Sequence, residues 1–510
     1  MENATAWPYL RDGVAGFQPG HSMVTIAFAT VRIWIGLVLL SVCQGCVSDS
    51  RRELPAAGPF AGPAASAEGL LPQGVAAGDV TDRSAAIWFR TDGPAQVQVA
   101  WASEGQPKQE GVSAVFTAVG DRDFTQTVRL EGLAQATGYR YRVLVAGPNE
   151  RPFGENAREG GQGRFETAAA PDRAEPVTFV WSGDLGGQQR CRRERFGYPI
   201  FDAMHRTNPS FFVFLGDTIY ADDRCPAPPN EPGGDFLAAT LDDYRGKHRY
   251  QRGDWFLQRF LASVPVYVIW DDHEVRNNFS GLSDPLMPAG RQALLEYWPI
   301  ATQPEEPTRL YRKVRHGADL ELFILDTRQY RSKNAEPDGP GKTMLGTAQR
   351  EWLVKGLTES TATWKVIATS VPLSNPKGGS KQVPGNDSWA RGADGTGFQT
   401  ELQAIVQAIL SRRITNLVWL AGDVHFAQVN VYDPDGDGKP DFHEFICGPL
   451  SAAPGKPTQP NPDLAATTLY TEGHFQNFCR VAINGPTLRL EVFDEAGRAR
   501  FTHVLHGIAP

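Results

Sequence analysis

The chain has 510 residues, 41% of them hydrophobic and 21% charged, with a formal net charge of -8. That is ample material for a large core and, at ~100–200 residues per domain, for two or three domains. The acidic balance excludes an extended basic stripe for nucleic acid, so any recognition of anions must be local.

The first predicted element is an export signal. From Met23 the sequence reads MVTIAFATVRIWIGLVLLSVCQGC, with one positive charge at Arg32, an apolar run from Ile33 to Val42 and small residues before a cysteine. Gly45-Cys46 has the form of a bacterial lipoprotein cleavage and lipidation site, so residues 1–46 read as a signal peptide, with Met23 an alternative start. Arg32 splits the apolar run and argues against a retained membrane span. Val47 supplies no inner-membrane retention cue, and the expected location is the periplasm or the outer membrane, held by a lipid anchor. Residues 47–70, rich in Ala, Pro, Gly and Ser, read as a flexible tether.

From 71 to 172, short alternating segments (SAAIWFRT, AQVQVAWA, TQTVRLEGL, YRYRVLVAG) separated by turn residues predict a small all-β sandwich. Within it LAQATGYRYRV, with Leu133 before Tyr139, resembles the tyrosine corner of fibronectin type III and immunoglobulin-like domains. This domain is expected to pack beside the catalytic unit or to act as a spacer.

Beyond Pro176, apolar strands alternate with helical segments, and 173–510 reads as an α/β sandwich. Strands are expected near 177–182, 210–216, 264–270, 319–326, 364–371, 416–421 and 442–447. Helices are expected near 197–207, 238–250, 289–298, 347–357 and 398–412. The tail adds the strands RVAIN, TLRLEVFD and RFTHVL. After processing at Cys46 four cysteines remain, Cys191, Cys225, Cys447 and Cys479; in an oxidising compartment they allow two disulfides with three connectivities, and none has zinc-site spacing.

Four of the apolar runs end in acidic or acid–histidine clusters: FVWSGD, FFVFLGD, VYVIWDDHE and LVWLAGDVH. They supply Asp184, Asp217, Asp271, Asp272, His273, Asp423 and His425. Loops after the carboxyl ends of strands converge on one crevice in an α/β fold, so carboxylates repeated there read as ligands for hard metal ions. A lone Asp after Gly is usually a turn or a cap; the ordered set GDLG, GDTIY, DDHE and GDVH is far more specific.

In that order the motifs resemble those of calcineurin-like metallophosphatases, and of the alkaline phosphatase D family among them. GDLG and GDTIY are also similar to motifs of purple acid phosphatases. LPQGVAAGDVTDRSAAIWFRT, LDTRQYR, TMLGTAQREWL, WKVIATSVPL and HEFICGPL extend the resemblance over most of the exported chain. It implies a β-sandwich flanked by helices, a phosphoric ester hydrolase, and a centre of at least two ions that activates a hydroxide for in-line attack on phosphate esters. Asp184, Tyr220 and His425 would hold ferric iron, with Asp217 bridging to a second ion. Asp272 and Asp423 stand where many relatives have Asn and His, which moves the second site toward calcium. The DxH histidine of the wider superfamily is absent, as is the histidine before the last motif in ATSVPLSNP. A phosphate oxygen, a water or Asn278 would fill the vacant position, and Cys191 is not expected to.

His273 resembles the superfamily's substrate-contacting histidine, expected to protonate the leaving group or steady a phosphoryl oxygen, with Glu274 or Asp271 orienting it. Arg276 and Arg190 are candidate phosphate forks. Phosphomonoesterase and phosphodiesterase activity, including phospholipase D-like cleavage of a phospholipid, are both open; the choice rests with the loops 223–237 and 376–396. A different class of reading, a non-catalytic surface lipoprotein that binds metal or phosphate, also stands. The sequence is silent on oligomeric state.

A second metal signal is DPDGDGKPDFHE. Asp433, Asp435, Asp437, Asp441 and Glu444 fall at EF-hand ligand positions with Gly438 near the turn, although the flanks read as strands. The expectation is a structural calcium site, with an acidic hairpin turn as the alternative.

Overall fold

The computed structural model describes residues 69–105, 107–150, 158–379 and 384–508. The expected signal peptide, and the tether up to residue 68, lie outside the described residues. Among the described residues no helix is long and apolar enough to cross a membrane.

Two large sheets share one core. One has seven strands, in the order Arg312–His316, Leu320–Ile324, Trp364–Ala368, Leu417–Ala421, Phe442–Ile446, Ala427–Tyr432 and Ala466–Glu472. Its period-2 alternation sorts the side chains. Leu322, Ile324, Val366, Ala368, Val418 and Leu420 enter the core shared with the other sheet. Phe323, Ile367 and Trp419 point outward beneath the helices Gly346–Glu359 and Gln399–Ser411. Burial on both faces is why these strands read as unbroken apolar runs.

The other sheet has nine strands, centred on the parallel set Val177–Ser182, Phe211–Phe214, Val266–Val268 and Val75–Gly78. The helices Ile200–Arg206 and Trp255–Leu261 pack on it through Phe201, Met204, Leu257 and Phe260. The expected strands near 210–216 and 264–270 shorten because the chain leaves the sheet early to build loops. The expected helix at 238–250 begins at Leu241, where Thr240 and Asp243 close a capping box. The helix Trp255–Leu261 was missed; its signal was Asp254, whose Oδ1 accepts from the Leu257 N–H at 2.9 Å.

The described residues between Val75 and Glu166 form strands and turns with one 3-10 helix, Gly120–Arg122, and they are spliced into the larger fold. Val75–Gly78 pairs in parallel with Val266–Val268, so Val75–Gly78, Ser84–Arg90 and Thr125–Glu131 extend the nine-stranded sheet. A Cβ on Gly78 would lie 2.5 Å from the Val266 carbonyl oxygen, which is why glycine stands at the splice. A five-stranded sheet built on Ala95–Ser103 and Gly138–Ala146 covers this extension with its own core, including Ile87, Val97, Tyr139 and Phe165. Tyr139 Oη accepts from the Ala134 N–H at 2.8 Å, fixing the turn before its strand. A spacer role is excluded by the shared sheet.

Candidate metal centre and active site

All four acidic clusters follow the carboxyl ends of parallel strands and meet in one crevice between the two sheets. Asp184 follows Val177–Ser182, Asp217 and Tyr220 follow Phe211–Phe214, Asp271 to His273 follow Val266–Val268, and Asp423 and His425 follow Leu417–Ala421. The turns are unusual: Asp184, Asp217, Asp423 and His425 have φ of 65, 51, 70 and 60°. Left-handed backbone costs an L residue roughly 1–2 kcal/mol, so the surroundings must hold these turns. The N–H of Asp184 donates to Gly216 O at 3.2 Å and that of Leu185 to Asp217 O at 2.8 Å, tying the first turn to the second. Glu274 clamps the second to the third, accepting from Asp217 N, Thr218 N, Thr218 Oγ1 and Asp271 N at 2.6–3.1 Å.

The carboxylates form overlapping sets. Ligand atoms of Asp184, Asp217 and His425 lie within 4.8 Å of one another, as do those of Asp217, Asp272 and His273, and those of Asp271, Asp272 and Asp423. Asp217 therefore belongs to two neighbouring subsites. Tyr220 Oη lies 2.9 Å from His425 Nε2, itself 3.3 Å from Asp184 Oδ1. His425 Nδ1 is 2.8 Å from the Ala453 carbonyl, which can only accept, so Nδ1 carries the proton and Nε2 offers its lone pair to the crevice. With its amide nitrogen turned inward, Asn278 donates to Asp387 Oδ2 at 3.1 Å and Asp272 Oδ2 at 3.2 Å.

The electrostatics test whether cations fit. Asp184 Oδ2, Asp271 Oδ2, Asp272 Oδ1, Asp387 Oδ1 and Asp423 Oδ2 are buried oxygens without a hydrogen-bond donor. Burial, reinforced by Asp272, Asp271 and Asp184, holds the Asp217 carboxyl well above its ordinary range. Burial does the same to Asp423 against the pull of Lys377, and burial raises Asp271. Asp272 goes the other way: burial works against its charge, but His273, Arg328 and Lys377 hold it well below the usual range. So many buried carboxylates with unused lone pairs need positive charge, and an oxygen-rich set with a phenol and an imidazole fits hard metal ions.

Two expectations need correction. His273 is oriented by neither Asp271 nor Glu274: its Nδ1 lies 2.6 Å from Asp222 Oδ1, while Asp222 Oδ2 accepts from the Asn277 N–H at 2.7 Å. Asp271 instead pairs with Arg328 Nε at 2.6 Å. Burial would lower the His273 pKa, but Asp272 and Asp222 raise it to about 9. Its ring stacks on Tyr220 with centroids 4.1 Å apart, and the backbone N–H of His273 donates to Asp217 Oδ1 at 3.1 Å. Arg276 is partly engaged, its Nε 2.6 Å from Asp284 Oδ2, which leaves the two Nη groups to face an anion. Arg190 is exposed on the rim, in the loop just after Asp184.

The second correction concerns DPDGDGKPDFHE, which is the turn of a hairpin between Ala427–Tyr432 and Phe442–Ile446. Asp433, Asp435 and Asp441 bring ligand atoms together there. Asp437 Oδ1 caps the Lys439 N–H at 2.8 Å. Glu444 is not part of this loop site. It points into the core, accepting from Leu373 N at 2.6 Å, Asn430 Nδ2 at 3.1 Å and the Tyr432 hydroxyl. The open disulfide pairing resolves to Cys191–Cys225 and Cys447–Cys479, with Cα atoms 5.8 and 6.1 Å apart. Cys191 is thereby removed as a ligand.

A family model described as "PhoD-like phosphatase" matches residues 181–498, which takes in every residue of this crevice. The chain belongs to the PhoD-like phosphatase family. A companion model, "PhoD-like phosphatase, N-terminal domain", matches residues 56–169. Alkaline phosphatase D of Bacillus subtilis (strain 168) is 29% identical over 395 residues, covering 69% of this chain and 64% of that protein, a little under two thirds of the relative's length. Among solved structures, one described as "Structure of PhoD" has a TM-score of 0.69 at 23% identity, covering 89% of this chain and 95% of that one. Purple acid phosphatase PPD1 from yellow lupin (Lupinus luteus) seeds has a TM-score of 0.60 at 12% identity, covering 85% of this chain and 73% of that one. Both structural likenesses are of fold.

Four members of this PhoD-like crevice escaped the sequence reading: Asp222, Arg328, Lys377 and Asp387. Arg328 is wholly buried and bridges Asp271 and Asp387, with Asp272 3.7 Å away. It stands in LDTRQYR, a segment that carried the family resemblance, and its charge behind an apolar strand end was the available signal. Asp222 lies two residues beyond Tyr220 and could have been weighed with it. Lys377 and Asp387 sit in the irregular stretch 376–396, where no periodicity points to a residue's direction.

Proposed function

We propose that the chain is a metal-dependent phosphatase of the cell envelope that hydrolyses phosphate esters at a centre of two hard cations. Asp217 carries this reading. One carboxylate lying near Asp184 and His425 on one side and near Asp272 on the other is what a bridging ligand requires. Asp184, Asp217, Tyr220 and His425 offer a phenolate-containing set suited to ferric iron, while Asp217, Asp272 and Asp423 offer an oxygen set suited to calcium. When bound, such cations neutralise phosphate charge and lower the pKa of a water.

The chain's own groups supply the rest. Asp222 fixes the His273 ring through Nδ1 and leaves Nε2 to give a proton to the leaving-group oxygen. Glu274 keeps the Asp217 and Asp271 turns in register, and Arg328 ties Asp271 to Asp387. Export as a lipoprotein through Cys46 belongs to the same proposal, supported by the signal-like sequence. So do a fibronectin- or immunoglobulin-type origin for 71–172 ahead of a catalytic 173–510, supported by the Tyr139 hydrogen bond, and a structural calcium at Asp433, Asp435 and Asp441.

The test is a paired assay on the full chain: metal content by elemental analysis, with hydrolysis of an aryl phosphate monoester and the matching diester in added calcium. Iron and calcium with turnover support the reading, and the two rates rank monoesterase against diesterase. A metal-free protein inert toward both esters would replace it with the binding lipoprotein.

A further inference from the structure

Three Lys and Arg side chains stand among the carboxylates, and two of them are anchored through Nε and Nη1, with only Nη2 left without a partner. Arg328 is wholly buried, with Nε on Asp271 at 2.6 Å and Nη1 on Asp387 at 3.0 Å. Arg331 is buried too, its Nε donating to Thr327 O at 2.5 Å and its Nη1 to Asn334 Oδ1 at 3.2 Å and Asp387 O at 2.9 Å. Neither can turn toward an incoming ester without abandoning a buried carboxylate or carbonyl.

Lys377 differs. Its side chain keeps 25% of its surface exposed, and among the described residues its ammonium makes one contact, to Asp423 Oδ1. The backbone is pinned, since the Lys377 N–H donates to Ser388 Oγ at 3.2 Å and its carbonyl accepts from the Asp387 N–H at 3.4 Å. A fixed stem base, a flexible four-carbon arm and a solvent-facing flank describe a group that can move its charge while the loop stays put. That partner, Asp423, belongs to the carboxylate set that fits a cation. Once Asp423 serves a cation, the ammonium loses that partner, and an oxygen of a phosphoryl group entering the crevice can take its place.

We propose that Lys377 is a substrate-contacting residue whose ammonium leaves Asp423 for a non-bridging oxygen of the phosphoryl group. This rests on the phosphatase reading above. It adds a second cation to the anion recognition expected of Arg276, whose Nε is held by Asp284.

The experiment compares the full-length protein with Lys377→Met and Lys377→Arg. Orthophosphate affinity is measured by calorimetry, kcat/KM on an aryl phosphate by turnover, and metal content by elemental analysis. The Met variant is expected to lose about ten- to hundredfold in both orthophosphate affinity and kcat/KM at unchanged metal content, with Arg restoring most of it. Orthophosphate affinity within about twofold of the unsubstituted protein at equal metal content overturns the inference, as does a fall in metal content that Arg does not restore, since lysine would then be a clamp on Asp423. An unsubstituted protein that neither binds orthophosphate nor turns over sinks the phosphatase reading itself, a result distinct from an active protein indifferent to Lys377.

Discussion

Asp222 Oδ1 lies 2.6 Å from His273 Nδ1, and this contact decides which nitrogen of the ring faces the crevice. A carboxylate there accepts the Nδ1 proton and strengthens the imidazolium. Asp222→Asn should invert the tautomer preference and lower kcat by about 10–10²-fold with metals retained. Steady-state kinetics with elemental analysis of the same sample checks it; an unchanged kcat would leave His273 with a packing role only.

Asp217→Asn removes the carboxylate common to both subsites. The expected outcome is loss of both ions and a fall in turnover of more than about a hundredfold, larger than loss of an outer-shell partner. Asp423→Asn should deplete one ion and spare the other. Equal loss of both in the two variants would contradict the division of ligands given above.

His248 is fully buried, its two ring nitrogens lack partners, and the ring stacks on Tyr297 with centroids 5.2 Å apart. Burial, helped by Arg252, lowers its pKa from 6.5 to about 3. The unfolded chain therefore binds the extra proton first as pH falls, and the folded state loses stability below pH 6.5. The slope from this group should approach about 1.4 kcal/mol per pH unit between pH 6.5 and the onset of carboxylate titration. His248→Phe should flatten that limb in urea unfolding followed from pH 7.5 to 4.5.

The hairpin acids and Glu444 separate cleanly by experiment. Asp435→Asn with Asp441→Asn should abolish a calcium-dependent rise in Tm and leave kcat alone. Glu444→Ala should cost about 1–3 kcal/mol with or without calcium, because it strands the Leu373 N–H and the Tyr432 hydroxyl in the core. A Tm indifferent to calcium in the unsubstituted protein removes the hairpin site.

Asp184, Asp217, Asp272, Asp423 and His425 were legible because each ends an apolar strand, and strand ends in this architecture have a known destination. The tail strands were legible for a related reason, since alternation survives in RVAIN and TLRLEVFD. What the sequence hid follows from the same physics. Asp222 acts from a loop whose direction is fixed by tertiary contacts such as the Asn277 N–H, and Lys377 and Asp387 lie where no repeat reports orientation. Glu444 was misread because a ligand-like spacing cannot show that its β-strand turns the side chain inward. The splice at Gly78 was invisible because a parallel partner far along the chain leaves no local mark.

That splice bears on when the protein can become itself. The Trp88 Nε1–H donates to Glu296 O across 208 positions, and Ser182 Oγ donates to Asn477 O across 295. The nine-stranded sheet cannot be finished while its last strands, Asn477–Asn484, Thr487–Asp494 and Ala499–His506, are still on the ribosome, and such non-local pairing makes folding slow. The polypeptide thus stays unlocked through most of its synthesis, and closure of the nine-stranded sheet comes last.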